Sequence, residues 1–156
     1  MRRNAIKLIY LLAASLAFSS VAVARELPTT TPGPDAARIS GVPGQFDQDL
    51  FPVTFVEIDG RNIQPREHLW LKPGRYEVTV LIQATDGFRP ASTPPGVRRN
   101  WDRASKAERR AATTIDVELE AGKTYQIRAR YNAEEREGIP YSTVVWKIEE
   151  SSAGLN

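Results

Sequence analysis

Leu71-Lys72-Pro73-Gly74-Arg75-Tyr76-Glu77-Val78-Thr79-Val80-Leu81-Ile82 reads as a turn feeding a strand, with Tyr76, Val78, Val80 and Ile82 on one face. Pro73 fixes φ and Gly74 accepts a positive φ, the pairing that a type II turn wants. The pattern returns at Leu119-Glu120-Ala121-Gly122-Lys123-Thr124-Tyr125-Gln126-Ile127-Arg128-Ala129-Arg130-Tyr131, where Tyr125, Ile127, Ala129 and Tyr131 share a face. Two such units predict a small antiparallel β domain.

Outward from them, Val53-Thr54-Phe55-Val56-Glu57-Ile58 is a strand closed by the turn signal Asp59-Gly60. Its alternation places Val53 and Phe55 against one layer and Val56 and Ile58 against another. Arg61 to Trp70 holds a short strand or a helical turn. Thr113 to Glu118 points Ile115, Val117 and Leu119 inward, and Ala121-Gly122 folds it back on the next strand as a hairpin. In the last strand, Tyr141 to Glu149, the residues Val144, Trp146 and Ile148 share one face and Val145 has the other. The expected core is Phe55, Ile58, Tyr76, Val78, Val80, Ile115, Val117, Tyr125, Ile127, Val144, Trp146 and Ile148. This predicts an all-β fold, a small antiparallel β-sandwich of immunoglobulin-like or prealbumin-like type. A single expected helix argues against a parallel α/β architecture.

The flanks set the compartment. Residues 1–24 read as a secretory leader: Arg2, Arg3 and Lys7 precede an apolar run from Leu8 to Val23, and Ala22-Val23-Ala24 offers a cleavage site. Removing those cations takes the 21 Lys and Arg to 18 against 19 Asp and Glu, a mature charge of −1. That balance points away from nucleic acid, and the mature form is expected to keep no stable membrane span. The chain has no Cys, so the exported domain holds together by its core alone. Periplasm is the expected destination, with release from the cell as the alternative. Residues 25–50 carry Pro28, Pro32, Pro34 and Pro43 and read as a flexible Pro-rich arm; Phe46, Leu50 and Phe51 near its end either cover the sheet or meet a partner. The sandwich is expected over 51–150, with an insertion at 85–112 and a fraying tail at 151–156. Within the insertion, Asn100 to Ala112 is rich in helix formers, with Asn100 as cap and Trp101, Ala104, Ala107 and Ala111 along one side.

Few residues carry chemistry. His68 is the only histidine and reads as an ordinary exposed or packing residue, so no cofactor or metal is expected. Asp47 and Asp49 sit in the Pro-rich segment, and Asp116 and Glu118 share a strand face at a spacing that a carboxylate-dependent hydrolase could use, although a solvated strand face produces the same pattern by default. The cations of the insertion say more. Arg89, Arg98, Arg99, Arg103, Lys106, Arg109 and Arg110 stand against Asp86, Asp102 and Glu108, a local net of +4. Arg98, Arg99, Trp101, Arg103, Arg109 and Arg110 are therefore the candidate partner-binding residues, for an envelope protein or an acidic envelope polymer. Arg128 and Arg130, outward on the neighbouring strand, extend that patch if the strand borders it.

The succession Ile58-Asp59-Gly60, Leu71-Lys72-Pro73-Gly74-Arg75-Tyr76 and Leu119-Glu120-Ala121-Gly122-Lys123-Thr124-Tyr125 resembles that of small bacterial envelope proteins with PEGA-like β domains. The resemblance spans Val53 to Ile148, lacks the lipoprotein cysteine, and has no counterpart for the 85–112 insertion. It implies a noncatalytic adaptor and carries no catalytic residue over. The function expected is thus a noncatalytic interaction or adaptor module of the periplasm. The alternative is a small-ligand or carbohydrate-binding carrier using Trp70 and Trp101 as platforms.

Overall fold

The computed structural model describes residues 26–83, 102–132, 134–135 and 137–151. The expected leader, the first part of the insertion with Arg98, Arg99 and Trp101, and most of the expected tail lie outside them. The described strands are β1 (Ala37–Ser40), β2 (Leu50–Phe51), β3 (Val53–Ile58), β4 (Arg61–Arg66), β5 (His68–Leu71), β6 (Gly74–Ile82), β7 (Thr114–Leu119), β8 (Lys123–Tyr131) and β9 (Tyr141–Glu150), with a 3-10 turn at Phe46–Gln48 and the helix α1 (Lys106–Thr113) directly before β7.

They form two sheets and an all-β, sandwich-like fold. One sheet runs β4-β3-β6-β7, antiparallel throughout. The other is built on β8, which pairs with β9 along one side and with β1 and then β2 along the other, β5 lying outside β1. The β1–β8 pair is parallel, the one departure from the expected antiparallel pattern among the described strands. Between the sheets sit Ala37, Ile39, Leu69, Leu71, Tyr125 and Ile127 from one side and Val53, Phe55, Ile58, Val78, Val80, Ile82, Val117 and Leu119 from the other.

Both repeated units are corners that carry the chain between sheets: β5 to β6 at the first, β7 to β8 at the second. The expected β7–β8 hairpin is therefore corrected, since the two strands belong to different sheets. In each corner a tyrosine hydroxyl ties back to the residue after the leucine. Tyr76 Oη donates to the Lys72 carbonyl at 2.9 Å, and Tyr125 Oη accepts from the Glu120 N–H at 2.9 Å. Gly74 is already the first residue of β6 at φ 152°, wider than the roughly +80° of a type II turn.

Local details revise other expectations. The β3–β4 turn has positive φ at both Asp59 (50°) and Gly60 (71°), the geometry a tight hairpin needs. A bulge between Phe55 and Glu57 shifts the register, so Val53, Phe55 and Ile58 all face the core instead of two layers. A second register shift, opposite Gln126 and Ile127, leaves Trp146 without a partner residue and turns Tyr141, Thr143 and Val145 inward. Val144 and Trp146 are consequently half-buried, and Ile148 is 53% exposed, against their expected place in the core. Tyr76 and Ile115 are partly buried against it.

Over its described residues, 26–50, the expected arm is part of the sandwich. Ala37–Ser40 form an inner strand, Leu50 and Phe51 are buried as β2, and Thr30 N–H and Lys72 N–H bond to the carbonyls of Trp70 and Pro28, each at 2.9 Å, so residues 28–30 lie along the edge of β5. The prolines flank β1 instead of interrupting it. The helix also differs from expectation: its cap is Ser105, in a reciprocal capping box with Glu108, and its buried residue is Ala112, while Ala107 and Ala111 are exposed. Thr143 Oγ1 of β9 donates to the Ala112 carbonyl at 2.8 Å, fastening the helix end to the β8-centred sheet.

Candidate functional site

On β5, Leu69 and Leu71 point into the core, so His68 and Trp70 point out. The β1 register sets Arg38 opposite Trp70 and Ser40 opposite His68. The Arg38 guanidinium carbon lies over the Trp70 ring, 5.8 Å from its centre, and Nη2 is 3.2 Å from His68 Nδ1. Arginine only donates, so Nδ1 is the acceptor and the neutral ring carries its proton on Nε2. Partial burial, then the Arg38 charge, and more weakly Arg128 lower the His68 pKa from its usual 6.5, with Glu67 opposing them. Arg38 Nε is buried and has no hydrogen-bond partner.

A depression of about 300 Å³ opens beside this set, lined by Thr29, Thr30, Arg66, His68, Leu69 and Trp70. A second hollow, formed by Pro65, Arg66, Glu67 and His68, shares two of those residues and continues past the β4–β5 bend. Arg66 is exposed, and its side chain donates from Nη2 to Gln64 Oε1 at 3.4 Å.

Beneath the same face, Arg128 corrects the expectation of an outward, patch-extending cation. It is fully buried, because residues 41–49 leave the sheet between β1 and β2 and pass over it. Its Nε donates to Pro43 O (2.6 Å), Nη1 to Ser40 O (2.7 Å) and Ile127 O (2.7 Å), and Nη2 to Gln126 Oε1 (3.2 Å). The guanidinium thus occupies the gap between β1 and β2 and takes up carbonyls that no strand there can satisfy. Gly41 makes the crossing feasible, since a Cβ there would stand 2.0 Å from the Val53 carbonyl oxygen. Arg130 is exposed.

Of the helix candidates, Arg110 donates to Glu57 at 3.1 Å and Glu77 at 2.8 Å, and those carboxylates raise its pKa. Arg109 is half-buried, and Arg103 is exposed over a hollow of about 150 Å³ shared with Ala104, Glu108, Glu137, Gly138 and Ile139. Arg98, Arg99 and Trp101 lie outside the described residues. Asp47, Asp49, Asp116 and Glu118 are exposed. Among the described residues no group of three or more His, Asp or Glu is placed to hold a metal, and no helix is long and apolar enough to cross a membrane.

Sequence reasoning singled out Trp70 but not the Arg38 and Arg66 that the fold brings beside it, nor the contact of His68 with Arg38. The available signal was alternation: a strand reading of His68-Leu69-Trp70-Leu71 puts His and Trp on one face. The fold and the site together define an all-β sandwich with a cation-and-aromatic cluster on one outer face. No protein-family model matches the chain, and neither does any curated protein or solved structure compared with it.

Proposed function

We propose that the processed chain is a noncatalytic binding module of the cell envelope, comparable to PEGA-like β domains, and that it engages its ligand on the outer face of β1 and β5. The observation that carries this reading is the cluster of Arg38, His68 and Trp70 beside the Arg66-lined depression. Arg and Trp are the side chains on which recognition surfaces concentrate their energy. His68 suits the same reading: its side-chain partner is a permanent cation, which depresses its basicity, whereas a catalytic base is oriented by an acceptor such as a carboxylate. Export rests on the leader pattern at 1–24 and places the module in the periplasm.

The depression against Trp70 favours the carrier form of this function, in which a small ligand or saccharide is held, over an adaptor that uses a flat face. The test is retention of envelope material on the immobilised, processed chain, with Arg66→Ala, Trp70→Ala and Arg103→Glu/Arg109→Glu variants checked for folding by circular dichroism. Retention lost in the first two and kept in the third supports the β1–β5 face. The reverse pattern moves the site to the helix, and chemical turnover of the retained material replaces the module with an enzyme.

A further inference from the structure

We infer that the trough running from Trp70 past Arg66 binds an acidic saccharide, with a sugar ring against Trp70 and its carboxylate held by the Arg66 guanidinium and His68 Nε2–H, the ring tautomer being fixed by Arg38 on Nδ1. The inference rests on the binding-module reading and names its ligand.

Charge is the first argument. Arg38, Arg66 and Arg128 converge on this face, and none of them makes an ion pair with a described carboxylate, whereas Arg75, Arg110, Lys123 and Lys147 each do. Four hydrogen bonds tie Arg128 to carbonyl and amide oxygens, which occupy its donors without cancelling its charge. Among the described residues, Glu67 is the carboxylate that opposes these cations at His68. The local field is therefore positive in a chain whose expected mature charge is −1, and it favours an anion.

Donor supply is the second. A guanidinium has five N–H donors in a fork that matches a carboxylate. Arg38 commits one, to His68, and Arg66 one, to Gln64. Holding Nδ1 as acceptor leaves His68 Nε2–H free to donate. Shape is the third. The half-buried Trp70 offers an apolar face to a sugar ring, the Thr29 and Thr30 hydroxyls line the same depression, and the adjoining hollow extends it along the chain, which suits an oligomer better than an isolated ion. A simple anion would need neither the indole nor the extension.

The experiment uses the processed chain with oligogalacturonate, a neutral galactose oligomer of equal length, and inorganic phosphate as probes. Binding is read by calorimetry and by the NMR signals of the Trp70 indole and the single histidine. The expected result is that oligogalacturonate moves both signals, binds at least tenfold tighter than the other two probes, and weakens at least tenfold in Arg66→Ala and in Trp70→Ala, both of which change partly exposed side chains. Equal binding of the neutral oligomer, equal binding of phosphate, indifference to Arg66→Ala, or no binding of oligogalacturonate overturns the proposal. If oligogalacturonate fails while envelope material is still retained through Trp70, the ligand class is wrong and the module stands; if that retention is absent too, both fall.

Discussion

The surface under the helix and the surface around β1 and β5 treat their cations in opposite ways. On the β4-β3-β6-β7 sheet, positive charge is met by carboxylate: Arg110 from the helix bridges Glu57 and Glu77, and Arg75 lies 4.0 Å from Asp116. Around β1, β5 and the middle of β8, with the end of β4 beside them, Arg128 meets carbonyls, Arg38 meets an indole and a neutral imidazole, and Arg66 of β4 meets an amide. Charges already neutralised hold a helix in place and offer little to a ligand. Guanidiniums held without acids keep their field and part of their donor set, which is the condition for recognising an anion.

The comparison breaks most visibly at Arg128. Arg128→Ala should destabilise the domain by about 3–5 kcal/mol, because it leaves buried carbonyls of Ser40, Pro43 and Ile127 without donors under the 41–49 crossing. Urea unfolding measures it, and a loss below about 1 kcal/mol would mean that water or a shifted loop replaces the guanidinium. Phe55→Ala should fall in the same range of about 3–5 kcal/mol, and Trp146→Ala clearly below it, since Phe55 is fully buried and Trp146 half-exposed at its bulge. Arg110→Ala should leave the urea midpoint nearly unchanged, because exposed ion pairs contribute little and are screened by salt. A drop comparable to that of Arg128→Ala would erase the distinction between the faces.

The smallest effect is that of pH. His68 has a folded pKa below its unfolded value near 6.5, so between the two values the unfolded chain binds more protons. Its contribution to stability is complete above about pH 6.5 and is lost as the pH falls through the depressed folded value. His68→Gln should flatten that slope in urea midpoints measured between pH 7.5 and 5, while the carboxylate-driven loss at lower pH persists.

What the sequence made legible follows from which forces are local. The corners around Gly74 and Gly122 were readable because a leucine, a turn and a period-two strand are contiguous in the chain. That the second one joins two sheets was not, since a hairpin and a corner share the same turn residues and differ only in distant pairing. The strand Ala37–Ser40 escaped because it is four residues long between prolines, and its hydrogen bonds go to β5 and β8, far along the chain. Arg128 illustrates a limit of alternation: the strand period correctly turns it away from the core between the sheets, but a loop some 80 positions earlier buries it. His68 lacked meaning for the same reason, its partner Arg38 lying in the segment read as an arm. In β3 and β9 single bulges reversed the expected facing of Ile58 and Val145, and no residue type announces a bulge.

The measurement that bears most directly on the unneutralised face is the pKa of the single histidine, followed by NMR with and without oligogalacturonate. Partial burial, together with the Arg38 guanidinium donating to Nδ1, holds the free value below 6.5, and a carboxylate seated against Nε2–H raises it. A free value at or above 6.5, or one that saturating oligogalacturonate leaves unmoved, contradicts the account.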